Sequence, residues 1–242
     1  DSALENNTTA NDNSAFGSAA LFTNSTGTLN AAVGSEAMKA NTTGSQNVAM
    51  GYEALQTNTT ADGNVALGTR TLQANTTGSS NTAVGHQSLY TNTTASNNTA
   101  VGINSLVANT TGDRNTAVGA IALDANTTAN YNVAVGYTSL GLTTTGAFNT
   151  AIGSFSMQAN TTGASNVAVG YAALDANTDA TNNTAVGNFA LTDNTTGIDN
   201  VAVGAEALGK NTTASNNTAL GTDALAANTT GSSNVAVGKD AM

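Results

Sequence analysis

The chain has no cysteine, no proline and no tryptophan. Without cysteine there are no disulfides, thiol nucleophiles or thiolate metal ligands, and the redox compartment stays open. Charge is scarce as well: Asp, Glu, Lys and Arg make up 8%, against roughly 25% in an average soluble domain. Fifteen acidic residues face five basic ones, a net charge of −10. That balance speaks against wrapping nucleic acid and against adhesion to anionic lipid. No apolar run approaches the length of a membrane span, so membrane insertion is not expected. No basic-plus-apolar leader is visible and the first residue is Asp1 rather than Met, the pattern expected when targeting information has been trimmed.

Asn, Thr, Ala and Gly take the place of the missing types, and they do so in register. A seventeen-residue unit opens on Asn13 and recurs at Asn30, Asn47, Asn64 and onward to Asn234, fourteen times without an insertion. Counted from that Asn, the consensus is Asn-Thr/Val-Ala-Val-Gly-x-x-Ala-Leu-x-Ala-Asn-Thr-Thr-Gly/Ala-x-x. A fixed short period marks each unit as one step of a stacked array. Disorder does not hold Val, Leu and Gly in fixed slots, and the repeated Gly and Asn-Thr-Thr would break paired helices. The expected organisation is one elongated domain over residues 1–242, with partial repeats at both ends.

Position 4 is always apolar, from Phe16 and Val33 to Val237, and position 9 is always Leu or Met. Period-two alternation over positions 2–4, rich in Val and Thr, predicts a short strand whose positions 2 and 4 share a face. Positions 8–11 predict a second strand, and the invariant Gly at position 5 a corner with positive φ or a close backbone approach. Asn-Thr-Thr-Gly at positions 12–15 carries turn chemistry. Two strands and two turns describe one coil of a parallel β-solenoid. Burying two or three apolar side chains cannot offset the ordering of a whole coil, so single coils are not expected to fold and stacking must supply the rest. Fourteen coils at about 4.8 Å each would give a rod of roughly 65–70 Å.

The third position is as uniform as the Gly. Ala49, Ala66, Ala83, Ala100, Ala117, Ala134, Ala151, Ala168, Ala185 and Ala202 all occupy it. An exposed face would drift through Lys, Glu, Gln and Thr; this one does not. Either the other wall of a thin coil or a neighbouring chain packs there, and a homo-oligomer is the favoured reading, with these alanines as its interface. The Asn at positions 1 and 12 would stack into side-chain ladders, failing once at Thr143.

The string at 115–129, Asn-Thr-Ala-Val-Gly followed by Ala-Ile-Ala-Leu-Asp-Ala-Asn-Thr-Thr-Ala, resembles repeats of phage tail-fibre proteins. The Asn-Val-Ala-Val-Gly-x-x-Ala cores at 166–173 and 200–207 also resemble the head repeat of trimeric autotransporter adhesins. The resemblance covers the whole chain. It implies a left-handed parallel β-roll, a homotrimer and binding to a host surface. The adhesin spacing is shorter than seventeen, and no anchor, stalk or chaperone domain is seen in the chain.

Little points to chemistry. His86 is the only His and sits at variable position 6. The acids fall at positions 7 and 10 and in the last turn, and read as solvated charges. No calcium loop, metal-spaced His/Cys set, phosphate cradle or nucleophile–base pair is visible, so no catalytic residue, metal or cofactor is assigned. The surface-display candidates are Tyr52, His86, Tyr137, Phe155, Tyr171 and Phe189. Asn-Thr-Thr matches the glycosylation pattern, which counts only if those Asn face outward. The Thr pairs raise ice binding as an alternative, although adjacent residues face opposite ways. The chain runs from position 6 of one unit to position 9 of another without a polar cap, as in an excerpt of a longer fibre or a filament that stacks head to tail. The expected function is a non-enzymatic fibre or shaft segment, extracellular or on a virion. Its expected partners are its own copies and a cell-surface glycan or receptor.

Overall fold

The computed structural model describes residues 2–242. Among these residues there are fourteen strands of three residues each and no helix. Contacts group the chain into two units, the first ending at Ala120 and the second running Ile121–Met242. The first holds β1 (Ser14–Phe16) to β7 (Thr116–Val118), the second β8 (Val133–Val135) to β14 (Val235–Val237). Within each unit every strand pairs in parallel with the next, residue against residue seventeen positions on: Ser14 with Ala31, Ala15 with Ala32, Phe16 with Val33. The same register holds at Val201 with Thr218 and Ala202 with Ala219. The fold is a β-solenoid of seventeen-residue coils, as the period predicts.

The strand turns its position-3 alanines inward, the reverse of the interface expected for them. The position-3 alanines at 49, 66, 83, 100, 117, 134, 151, 168, 185 and 202 are each fully buried by the chain itself. They therefore present no surface to a neighbouring copy, and their assignment as an oligomer interface is corrected. Positions 2 and 4 point outward, with Met50 49% and Ile152 41% exposed. The reason is room. Leu or Met of position 9, from Leu21 to Leu208, is fully buried in every coil and fills the lumen with the small residue of position 8. Facing those side chains across a thin coil, the strand has space for a methyl group and no more.

The second expected strand is absent, but its ladder is present. Leu21 N–H donates to the Ala37 carbonyl and Thr23 N–H to that of Lys39, 3.0 and 3.1 Å. The backbone between is a run of tight turns rather than an extended segment. Ala20 N–H bonds Gly17 O and Lys39 N–H bonds Glu36 O. The third residue of each such turn has positive φ, for example Ala19 at 54° and Met38 at 51°, as type II turns require. That an inward Leu or Met holds a left-handed conformation, against its steric preference, shows how strongly the lumen selects the side chain.

Gly at position 5 meets both conditions read from the sequence. Gly85 has φ +127°, and a Cβ there would lie 2.6 Å from the Gly102 carbonyl oxygen of the next coil. Position 15 is crowded differently. A Cβ on Gly44 would meet the carbonyl oxygen of Ala61 and Oδ1 of Asn41, each at 2.5 Å. Ala does occupy this slot at 61, 95 and 180, yet no two successive units carry it. Each such Ala has a glycine in the same slot of the units on either side.

Two asparagine ladders close the coil. At position 12, Asn41 Nδ2 donates to Asn24 Oδ1 at 2.8 Å and to Gly44 O at 2.9 Å. At position 1, Asn47 N–H donates to Asn30 Oδ1 at 3.0 Å while its Nδ2 donates to Ala61 O at 2.9 Å. The position-15 carbonyl thus receives both amides of its coil, as Gly27 O receives Asn13 and Asn24. These Asn are buried from Asn24 to Asn217. Buried amides already spent on two hydrogen bonds cannot be glycosylated in the folded coil. At Thr143 the ladder passes through a hydroxyl instead, which accepts from Asn160 Nδ2 at 3.1 Å.

Candidate functional site

Since the interior is filled by Ala, Leu and Asn, recognition falls to what the coils turn outward. The first such surface is the strand face. In the first unit position 4 carries Val33, Met50, Leu67, Val84, Val101 and Val118, with Val or Thr at position 2 beside most of them. In the second it carries Val135, Ile152, Val169, Val186, Val203 and Leu220. Each unit thus bears an unbroken apolar stripe one strand wide. Soluble monomers rarely expose a contiguous apolar patch of more than a few hundred Å².

The second surface is the corner formed by positions 6, 7, 10 and 11. Sequence alone scatters aromatics there, because Tyr137 and Tyr171 occupy position 6 while Phe155 and Phe189 occupy position 7. In the fold they meet. Tyr137 and Phe155 lie 5.5 Å apart between ring centroids, Phe155 and Tyr171 5.7 Å, Tyr171 and Phe189 5.3 Å, all edge to face. This geometry suits the ring quadrupoles. Phe155 is half-buried and the other three are exposed. Tyr131 and Phe148, both at position 17, stack in parallel at 5.1 Å; the sequence reading did not single them out. The signal available was their occupation of the same slot in successive units.

Tyr52 and His86 belong to the first unit. His86 is exposed. Tyr52 lies under the Arg70 guanidinium, 6.0 Å from ring centroid, and Arg70 pairs with Glu53 at 2.9 Å. The Tyr52 hydroxyl, bonded to Glu53, and the Arg70 guanidinium hold the Glu53 carboxyl below its ordinary range, against a smaller opposing effect of burial. Burial pushes Asp124 and Asp175 the other way, above the usual carboxylate range, with backbone hydrogen bonds opposing it. Asp175 Oδ1 is covered and makes no hydrogen bond. Both are position-10 residues.

Among the described residues no three of His, Cys, Asp or Glu gather as a metal site. Among the described residues no helix is long and apolar enough to cross a membrane. The Thr pairs divide as their adjacency requires. Position 13 hydroxyls donate to the next coil's backbone, Thr42 to Thr59 O at 2.9 Å and Thr161 to Thr178 O likewise. Position 14, such as Thr43, Thr77 and Thr162, is exposed. One outward rank of Thr results rather than a two-rank array.

The class defined by this arrangement is a parallel β-solenoid repeat protein. Compared with protein-family models and with curated proteins, the chain matches none.

Proposed function

We propose that this chain is a non-enzymatic structural segment, a fibre or shaft piece of an extracellular or virion appendage, assembled from copies of itself. The observation that carries this reading is the outward stripe of position 4, apolar in every coil although it faces solvent in the single chain. A solvated strand face has no reason to avoid Lys, Glu and Gln over fourteen successive coils, whereas a face covered by another copy does. Three copies is the number expected from the likeness to tail-fibre and adhesin repeats. Parallel ladders of backbone and Asn side-chain hydrogen bonds supply stiffness along the stack. The variable corners supply the display surface.

Sedimentation equilibrium tests the assembly. The unmodified chain is expected at three times its 23.7 kDa mass. A Val84→Glu/Val101→Glu variant, with like charges stacked on an apolar interface, is expected at the single-chain mass with its β-sheet circular dichroism intact. A folded single chain with the stripe unaltered would contradict the reading, and masses growing with concentration would favour a head-to-tail filament instead.

A further inference from the structure

We infer that the aromatic corner of the second unit is a binding site for an uncharged, linear oligosaccharide. The inference rests on the display role proposed above and names the ligand class. Tyr137, Phe155, Tyr171 and Phe189 form a line one ring wide, each ring fixed edge to face by the next. Four successive coils at about 4.8 Å spread the line over about 14 Å. Rings in the same slot recur every second coil, about 10 Å apart, close to the length of a disaccharide. Rings held in a fixed row, three of the four exposed, offer apolar platforms at little entropic cost, and the C–H faces of sugar rings pack on such platforms.

The strip does not end in open solvent. Phe189 forms one wall of a groove of about 440 Å³ whose other lining includes Thr192, Glu206 and Lys210, with room left by Gly209 and Ala226. Lys210 is held by Asp193 at 3.0 Å. A hydroxyl, a carboxylate and an ammonium beside an aromatic platform give both acceptors and donors, as sugar hydroxyls need. Charge narrows the class. The chain carries −10 overall, and Glu206 and Asp193 flank the groove, so acidic saccharides are repelled. A peptide strand is excluded by the backbone: Phe155 N–H bonds Tyr137 O and Phe189 N–H bonds Tyr171 O, each at 3.0 Å. No free edge is left along the corner for strand addition.

The test titrates the full chain with neutral β-1,4-linked hexasaccharides of glucose, N-acetylglucosamine and mannose, and with a uronic-acid hexasaccharide. Calorimetry and tyrosine fluorescence, undisturbed by tryptophan, give the readouts, and sedimentation is run alongside. At least one neutral oligomer is expected to bind at millimolar concentration or below, and the acidic one not. Phe155→Ala/Phe189→Ala should weaken binding about tenfold, while Tyr52→Ala leaves it unchanged. If the alanine pair unfolds, Phe155→Leu/Phe189→Leu keeps apolar packing without the rings and should show the same loss. Absence of neutral-sugar binding, binding indifferent to the double variants, or preference for the acidic oligomer overturns the inference. A change of assembly mass in a folded double variant also overturns it, since the strip would then be a contact between copies. An assembled wild-type chain that binds no sugar sinks the glycan site alone; a single-chain wild type that does bind sinks only the fibre reading.

Discussion

Replacing Gly85 by Ala is expected to cost about 3–5 kcal/mol, the sum of an unfavourable backbone conformation and a clash that the ladder cannot relax. Gly85 holds φ +127°, and the new methyl would lie 2.6 Å from the Gly102 carbonyl oxygen and 2.7 Å from its carbon. The obstacle is backbone fixed by its own hydrogen bonds: Gly102 N–H already donates to Val84 O at 2.8 Å. Thermal unfolding followed by circular dichroism should show the midpoint lowered by about 10 °C. Gly63 is the control. Its φ is +67° and the nearest atom to an added Cβ is Ser80 Oγ at 3.9 Å, in a slot where Gln46, Ser80 and Asn97 hold similar φ. Gly63→Asn should leave stability unchanged or raise it slightly, because the unfolded chain loses freedom. Equal effects at the two glycines would show that positive φ alone, and not the approach of successive coils, keeps position 5 as Gly.

The second large effect is expected from Asn75→Ala. Asn75 Nδ2 donates to Asn58 Oδ1 at 3.0 Å and to Gly78 O at 2.9 Å, and its Oδ1 accepts from Asn92 Nδ2 at 2.9 Å. All three side chains are fully buried. Truncation strands an acceptor on Asn58 and leaves Asn92 Nδ2 with only Ala95 O, at a cost of about 3 kcal/mol. Thr143→Asn should act in the opposite direction. A hydroxyl now stands in the position-12 ladder, donating to Asn160 O at 3.2 Å and accepting from Asn160 Nδ2 at 3.1 Å. An amide there adds the intracoil donor found in the other units, and a gain of about 1 kcal/mol is expected. Urea midpoints of the two variants measure both. An unchanged midpoint for Asn75→Ala would mean that the ladder follows from the coil rather than holding it.

Much of the coil was legible from the repeat. The corner at Gly85, the inward Leu72 and Leu89, the strand at 82–84 and the Asn ladders all follow from residue type and slot. The direction of the strand did not. Period two separates Ala83 from Thr82 and Val84, but it does not say which face is inside. Hydrophobicity favours Val84 and the space beside Leu89 admits only Ala83, so volume decides where transfer energy points the other way. The turns at positions 6–11 were hidden for a similar reason, because nothing in the propensity of Leu announces a left-handed φ. The aromatic strip was missed because its rings alternate between two slots, and a reading slot by slot never places Tyr171 beside Phe155 or Phe189.

Each coil buries its position-3 side chain within one chain and turns the opposite face of the strand towards partner copies. Because the chain has no cysteine, thiol labelling reads this directly. Ala202 is fully buried and Thr213 is exposed. The Ala202→Cys variant is expected to react with a maleimide only at the rate of unfolding, equally in dilute and concentrated protein, while Thr213→Cys reacts at once. Rapid labelling of Ala202→Cys in folded protein, or protection that disappears on dilution, would contradict the account.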